Sequence, residues 1–383
     1  MKQAEGADRC ILLADTAGAI AGIGGRATAA AALVAEVEIL SVQIDDEATQ
    51  ARVAVGVHGA LLSTGQFRAS QKAGARVLLT DAVSTYDRTG FLLNQAFGHA
   101  FGGNWDGALA CIAEGRPLAD QYGHWEASHA FGNVQAWVEF PTMGDPAGVL
   151  RMVEADLAMS RDRQIGYAAY TFFWMGVSCM WMGTLEQALE WAEQGAEKEV
   201  EAQTWYGTNQ GLLLLCRAHC RDRKAALALW ARLADHLPGA VGVSPVGSWV
   251  LAGLAVEAWA LLGEHDLAGS LYPALLHSVS LGLRATPTQP IETVVGIAAA
   301  CGRQWAQAEE HFERARQDCE DLPHRPGAAE TSYWQAWALL EQGAAGNGDR
   351  VRTLLEDAVD RYRAIGMPKH EARARDLLAH AKA

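Results

Sequence analysis

The strongest constraint on this sequence is its period: pairs of apolar-striped segments joined by a turn recur about every 40 residues. In the clearest copy, Tyr170 to Glu197, the segment YTFFWMGVSCMWMG stops at Gly183 and TLEQALEWAEQGAE returns. The stretch FLLNQAFGHAFGGNWDGALACIAEG reverses at Gly103 in the same way, and VVGIAAACGRQWAQAEEHFERA reverses at Gly302. Further turns are expected near Gly25, Gly65, Gly144, Arg221, Gly263 and Gly348, at intervals of 38 to 46 residues, which makes about nine hairpins. Glycine just past a helix end takes left-handed backbone without steric cost and so suits the reversal. A small residue early in the returning segment (Ser70, Ala108, Ala188, Ala268) lets the two helices approach closely, and Gly176 suits the same role in a first helix. Single hairpins of this kind cannot bury their apolar faces alone, so they must stack. The expected fold is all-α, a right-handed solenoid occupying 1–383 as one array, with 1–45 as an N-terminal capping hairpin and 325–383 as the C-terminal repeat and cap.

The turn glycine, the following aromatic or leucine (Trp105, Leu185, Trp305) and then Ala108, Ala188, Ala268 and Ala308 resemble tetratricopeptide repeats over nearly the whole chain. The period is longer than that family's usual ~34 residues, Pro146 replaces the aromatic in the fourth unit, and Arg223 and Lys224 follow the Arg221 turn. The last two units, ETSYWQAWALLEQGAAGNGDRVRTLLEDAVDRYRAIGMPKHEARARDLL, resemble the C-terminal repeat region of LuxR-type and MalT-type ATP-binding regulators and of ATPase-coupled cyclases. That resemblance implies a bacterial signalling or transcriptional-regulatory role. The expectation is an excised sensor region or a stand-alone relative, since no ATPase, cyclase or helix-turn-helix portion is present in the sequence.

Half of the residues are hydrophobic, which suits helical packing, and Asp and Glu outnumber Lys and Arg 45 to 31, for a net charge of −14. Phosphate binding needs clustered cations, so a nucleic-acid partner is not expected. No apolar run approaches the roughly 20 residues of a membrane span, and Met1 to Cys10 lacks a secretory pattern, so a cytoplasmic protein is expected. Seven scattered cysteines fit reduced thiols better than a disulfide framework.

Patterns for chemistry are incomplete. Gly22, Gly24 and Ala27 fit G-x-G-x-x-A, but LLADTAGAI before them does not read as a strand. A phosphate-binding G-x-x-x-x-G-K-[ST] loop and a G-x-S-x-G nucleophile turn are absent. Cys216 and Cys220, with His219 beside them, have zinc-compatible spacing without a second ligand pair, and small buried cysteines are the stronger reading. His124 and His129 flank Trp125 and are read as polar surface or groove residues. No cofactor, metal or catalytic residue is assigned. The punctuated stretches His236–Gly247 and Arg284–Pro290 are expected to be inter-repeat loops.

In a solenoid of this kind the first helix of each hairpin lines the concave surface. Counting back from each turn gives Phe97, Phe131, Tyr170, Phe173, Trp205, Asn209, Glu257 and Glu292 as groove-facing candidates, aromatic in the middle and acidic toward the C-terminus. A protein segment, peptide or small effector is the expected occupant, with self-association left open. The alternative is an enzyme that uses the same carboxylates or histidines inside the superhelix.

Overall fold

The computed structural model describes residues 2–23, 26–77, 83–160, 168–202, 205–343 and 346–381. Within them the chain is all helix, with no strand. The hairpins are α1 (Lys2–Ala21) with α2 (Ala27–Ser41), α3 (Glu47–Ser63) with α4 (Phe67–Val77), α5 (Thr85–Gly102) with α6 (Trp105–Gln121), and α7 (Trp125–Met143) with α8 (Pro146–Ser160). They continue as α9 (Ala168–Met182) with α10 (Leu185–Ala202), then α11 (Thr208–His219) with α12 (Arg223–Leu233). In the seventh, α13 (Val246–Leu262) returns as two pieces, α14 (His265–Ser270) and α15 (Tyr272–Ser280). Pro273, in the first turn of α15, has no N–H to continue the ladder from α14. The last pairs are α16 (Ile291–Cys301) with α17 (Trp305–Asp321) and α18 (Arg325–Gln342) with α19 (Gly348–Ile365); α20 (Pro368–Ala381) packs on α19.

The expected turns fall where the period puts them, with two shifts. Gly65, Gly103, Gly144, Gly183 and Gly263 are left-handed, and Arg221 takes the same conformation at φ 59°. At the eighth turn Gly302 is not left-handed; Arg303 is, at φ 58°. At the ninth the left-handed residues are Gly343 and Gly346, and Gly348 opens α19. Gly24 and Gly25 lie outside the described residues. Polar caps start several helices: Asp46 accepts from the N–H of Thr49, Ser84 from Asp87 and Asp222 from Ala225, each satisfying a donor the helix cannot. The small residues sit at close contacts, since Ser70, Ala108, Ala188, Ala268 and Ala308 are all buried. A Cβ on Gly176 would come within 2.8 Å of Leu212 Cδ2, and one on Gly115 within 2.3 Å of the Phe131 ring.

Successive turns of the superhelix touch along a seam. Trp205 N–H donates to Gly22 O at 3.1 Å, and the N–H groups of Arg284 and Ala285 both reach Phe101 O, at 2.9 and 3.1 Å. Arg325 Nη1 donates to Met143 O at 2.6 Å across 182 residues, between four and five repeats. The turn at Gly183 lies against Pro368 and Lys369. The hairpin turns of one superhelical turn therefore meet the inter-hairpin loops of the next. The two punctuated stretches are loops as expected, apart from His236, which ends a single 3-10 turn, and Val246 and Gly247, which begin α13; the second stretch carries seam contacts.

Candidate functional site

The bore of the superhelix is filled by the chain's own side chains. The residues of α11 from Thr208 to Cys216, of α13 from Val246 to Ala260 and of α16 throughout are buried. Phe97 stands edge-on to Trp205 at 4.7 Å between ring centroids, and Tyr170 edge-on to Trp205 at 5.1 Å. Phe131 lies beneath Gly115, and Phe173 packs edge-on to Trp174 at 5.4 Å. Trp205 is not on a first helix. It belongs to the turn before α11, in left-handed backbone at φ 51°. The aromatic residues expected along a concave wall are thus buried core contacts, because the superhelix winds tightly enough to bring them together.

Asn209 is buried at the N-terminus of α11. Its side chain donates to Ala169 O at 2.9 Å, and its N–H donates to Glu199 Oε1 at 2.9 Å while Gln210 N–H donates to Oε2 at 3.2 Å. Glu199 acts as a carboxylate cap from the neighbouring hairpin. Nothing local in KEVEA marks it. Burial pushes its pKa up to about 7, against the backbone donors of Gly207 to Gln210.

Glu257 lies in a buried polar cluster assembled from six parts of the chain. It accepts from Gln289 Nε2 at 3.1 Å, and burial, then the nearby Glu330, raises its pKa. Glu330 Oε2 accepts from Arg373 Nη2 at 3.2 Å and from Trp334 Nε1 at 3.0 Å. The Arg373 guanidinium lies 4.2 Å from the Tyr333 ring centre, and His370 packs between His219 and Tyr362. Of these residues, Glu257 is marked in the sequence as a groove carboxylate and His219 as the neighbour of Cys216 and Cys220; the rest are not.

Glu292 is the expected groove residue that reaches an opening. It lies on the wall of a cleft of about 740 Å³ at the seam, bounded by α4, the end of α5, the loop after α15, α16 and α17. Phe67, Val279, Leu283 and Ile291 give the cleft an apolar surface, and Arg68, Gln71, His99, Arg284 and Asp318 give it a polar rim. Glu292 Oε2 is 2.6 Å from His311 Nδ1, and Tyr272 OH is 3.1 Å from His311 Nε2, which fixes the ring. Arg284 pairs with Asp318 and Asp321.

The other sequence candidates separate in space. Cys216 is buried in the core whereas Cys220 is exposed beyond the end of α11. His124 stacks on Tyr86, while His129 is buried 2.7 Å from Thr171 Oγ1. Gly22 follows a helix, not a strand. Among the described residues no group of three or more His, Cys, Asp or Glu is placed to hold a metal, and no helix is long and apolar enough to cross a membrane.

Buried titratable groups give stability a defined pH profile. Burial lowers His58 and His129 to about 4, His219 and His324 to about 3, and His370 well below its usual 6.5. The unfolded chain binds more protons at these five sites below pH 6.5, so their contribution is lost as pH falls. Glu199 and Glu257 have the opposite sign: the folded state holds their protons above 4.5, so stability falls as pH rises through their raised values. The thermal midpoint is therefore expected to peak near pH 6.5 and fall on both sides, with Glu257→Gln flattening the alkaline fall. Unfolding followed by circular dichroism from about pH 4.5 to 8.5 checks this; a midpoint still rising above about pH 7 rejects the assignment.

No protein-family model matches the sequence, and no curated protein matches it. Among solved structures, the chain is similar to the one described as "Crystal structure of APC/C hetero-tetramer Cut9-Hcn1", with a TM-score of 0.53 and 13% identity over 91% of this chain and 59% of that one. It is also similar to "Crystal Structure of Rap Protein Complexed with Competence and Sporulation Factor" (TM-score 0.46, 9% identity, 98% of each chain). A third is "Crystal Structure of the Apo Form of RapI" (TM-score 0.41, 11% identity, 87% of this chain and 97% of that one). The Cut9-Hcn1 similarity shows the fold, a tetratricopeptide-like helical solenoid.

Proposed function

We propose that this chain is a protein-interaction or ligand-sensing module that takes its effector, a peptide end or a small molecule, in the seam cleft and not in the bore. The observation that carries this reading is the cleft itself: about 740 Å³, apolar at its base, polar at its rim, and walled by segments from two successive superhelical turns. Pockets of this size and mixed lining suit small organic ligands or a few peptide residues. An occupant touching both α5 and α17 would brace one turn against the next, so binding in the cleft would be felt as a change in superhelix rigidity. That coupling suits a sensor, and the regulatory assignment rests on the resemblance of the last two units to LuxR-type and MalT-type proteins.

Gly102 provides the test. It lines the cleft at the end of α5, and a Cβ built on it meets nothing within 4 Å, so Gly102→Phe fills the opening without a clash at its own backbone. A panel of small metabolites and free tripeptides is screened by thermal shift. Members that raise the wild-type midpoint are expected to lose their effect in Gly102→Phe, whose own midpoint and helicity stay close to wild type. Ligands that stabilise both proteins equally place the site elsewhere and reject the cleft.

A further inference from the structure

The reading of the cleft as a ligand site can be taken to a chemical class, because its charges are not equally committed. Glu292 is bound to His311, Arg284 to Asp318 and Asp321, and Arg314 to Glu310. Arg68 forms no ion pair or side-chain hydrogen bond among the described residues, and neither does the Gln71 amide. Both project from α4 beside Phe67, each lying over a facing glycine. A Cβ on Gly282 would come within 2.7 Å of Arg68 Cγ, so the Arg68 stem lies across that glycine. Its own N–H donates to Leu281 O at 3.1 Å, fixing the start of the side chain to the opposite wall. A Cβ on Gly98 would come within 2.7 Å of Gln71 Nε2. The cleft therefore presents one uncommitted cation and one uncommitted amide donor next to an apolar surface, while its acids already have hydrogen-bonding or ion-pair partners.

Resting on the cleft reading above, we propose that the ligand is a monocarboxylate with an apolar body. Its carboxylate sits on Arg68 and Gln71, and its body lies against Phe67, Val279 and Leu283. A guanidinium matches a carboxylate in charge and planar geometry, and charge-assisted hydrogen bonds of this kind are the stronger ones. A free organic acid and the C-terminus of a peptide ending in an apolar residue share this chemistry.

The test is calorimetric titration of the whole chain with N-acetyl-phenylalanine and with its carboxamide, which keeps the body and removes the charge. The acid is expected to bind about tenfold or more tightly than the amide, and Arg68→Gln to erase that preference while leaving the amide unchanged. Equal binding of acid and amide, or a preference that survives Arg68→Gln, overturns the carboxylate assignment. If Gly102→Phe still blocks both probes in that case, the cleft stands as the site and only the ligand class fails. If neither probe binds and no panel member depends on Gly102, the cleft reading fails with it. Titration with 3-phenylpropionate and with Ala-Ala-Phe, free and amidated, then separates the sources: tighter binding of the free tripeptide supports a peptide C-terminus, and tighter binding of phenylpropionate a small acid.

Discussion

Gly247→Ala is expected to destabilise the chain by about 3 kcal/mol or more, a large share of the roughly 5–15 kcal/mol that holds a native fold together. A Cβ at Gly247 would lie 2.1 Å from Trp205 O and 2.4 Å from Tyr206 O, and these are backbone atoms that cannot rotate away. The contact is reciprocal, since a Cβ on Gly207 would lie 2.6 Å from Gly247 O. The first turn of α13 is therefore pressed directly on the turn that precedes α11. Relief would require that turn to move, together with Trp205, whose ring packs on Phe97 and Tyr170 and whose N–H reaches Gly22. Gly90→Ala is the control. Gly90 is inside α5, and its added methyl meets nothing within 4 Å, so a gain of about 0.5–1 kcal/mol in helix propensity is expected. Urea unfolding of the two variants against wild type decides: a Gly247→Ala midpoint near wild type would show that the two turns separate easily.

Arg373→Met should cost about 3–5 kcal/mol, because it leaves the Glu330 carboxylate in the interior without its cation. The side chains of Glu330 and Arg373 are only 5% and 14% exposed. Arg373 stays charged against the pull of burial, with the Glu330 carboxylate and the face of the Tyr333 ring beside it. Adding Glu330→Gln to Arg373→Met removes the stranded charge, so the double variant is expected to recover a large part of the loss. If both variants unfold at the same denaturant concentration, Arg373 acts through its packing on Tyr333 and Trp334 and not through charge. Hydrogen exchange gives a second readout: protection in α20 should fall first, since Arg373 and His370 tie that helix to α18 and α11.

Much of the fold could be read from local signals. A turn glycine, a small residue a few positions on and an apolar stripe all act within one hairpin, so Gly103 with Ala108 and Gly183 with Ala188 locate their turns without reference to the rest of the chain. Where the local signal was ambiguous the register slipped, as at Gly302 beside Arg303 and at Gly348 after Gly343 and Gly346, because a run of flexible residues does not say which one takes the left-handed conformation.

The candidate site was much less legible. Glu292 was picked for its place on a first helix and does reach the cleft, while Arg68 and Gln71 lie on a second helix, where counting back from the turns does not look. The aromatic candidates were placed by assuming an open concave face, yet their number in the middle repeats is what a filled bore needs. The residues that build the cluster around Glu257 and the cleft around Glu292 come from segments far apart in sequence, and no spacing rule connects them.

By itself, then, the sequence determined the helical hairpins, their number and their stacking into a solenoid, since these follow from periodicity and turn chemistry repeated about every 40 residues. Tertiary structure alone decided that the bore closes, that Met143 meets Arg325 across 182 residues, and that a cleft opens at the seam. The physical reason is that superhelical closure is the accumulated product of small rotations between neighbouring hairpins. Each rotation is set by how individual side chains pack at one interface, and only after four to five repeats does their sum bring the two edges into contact.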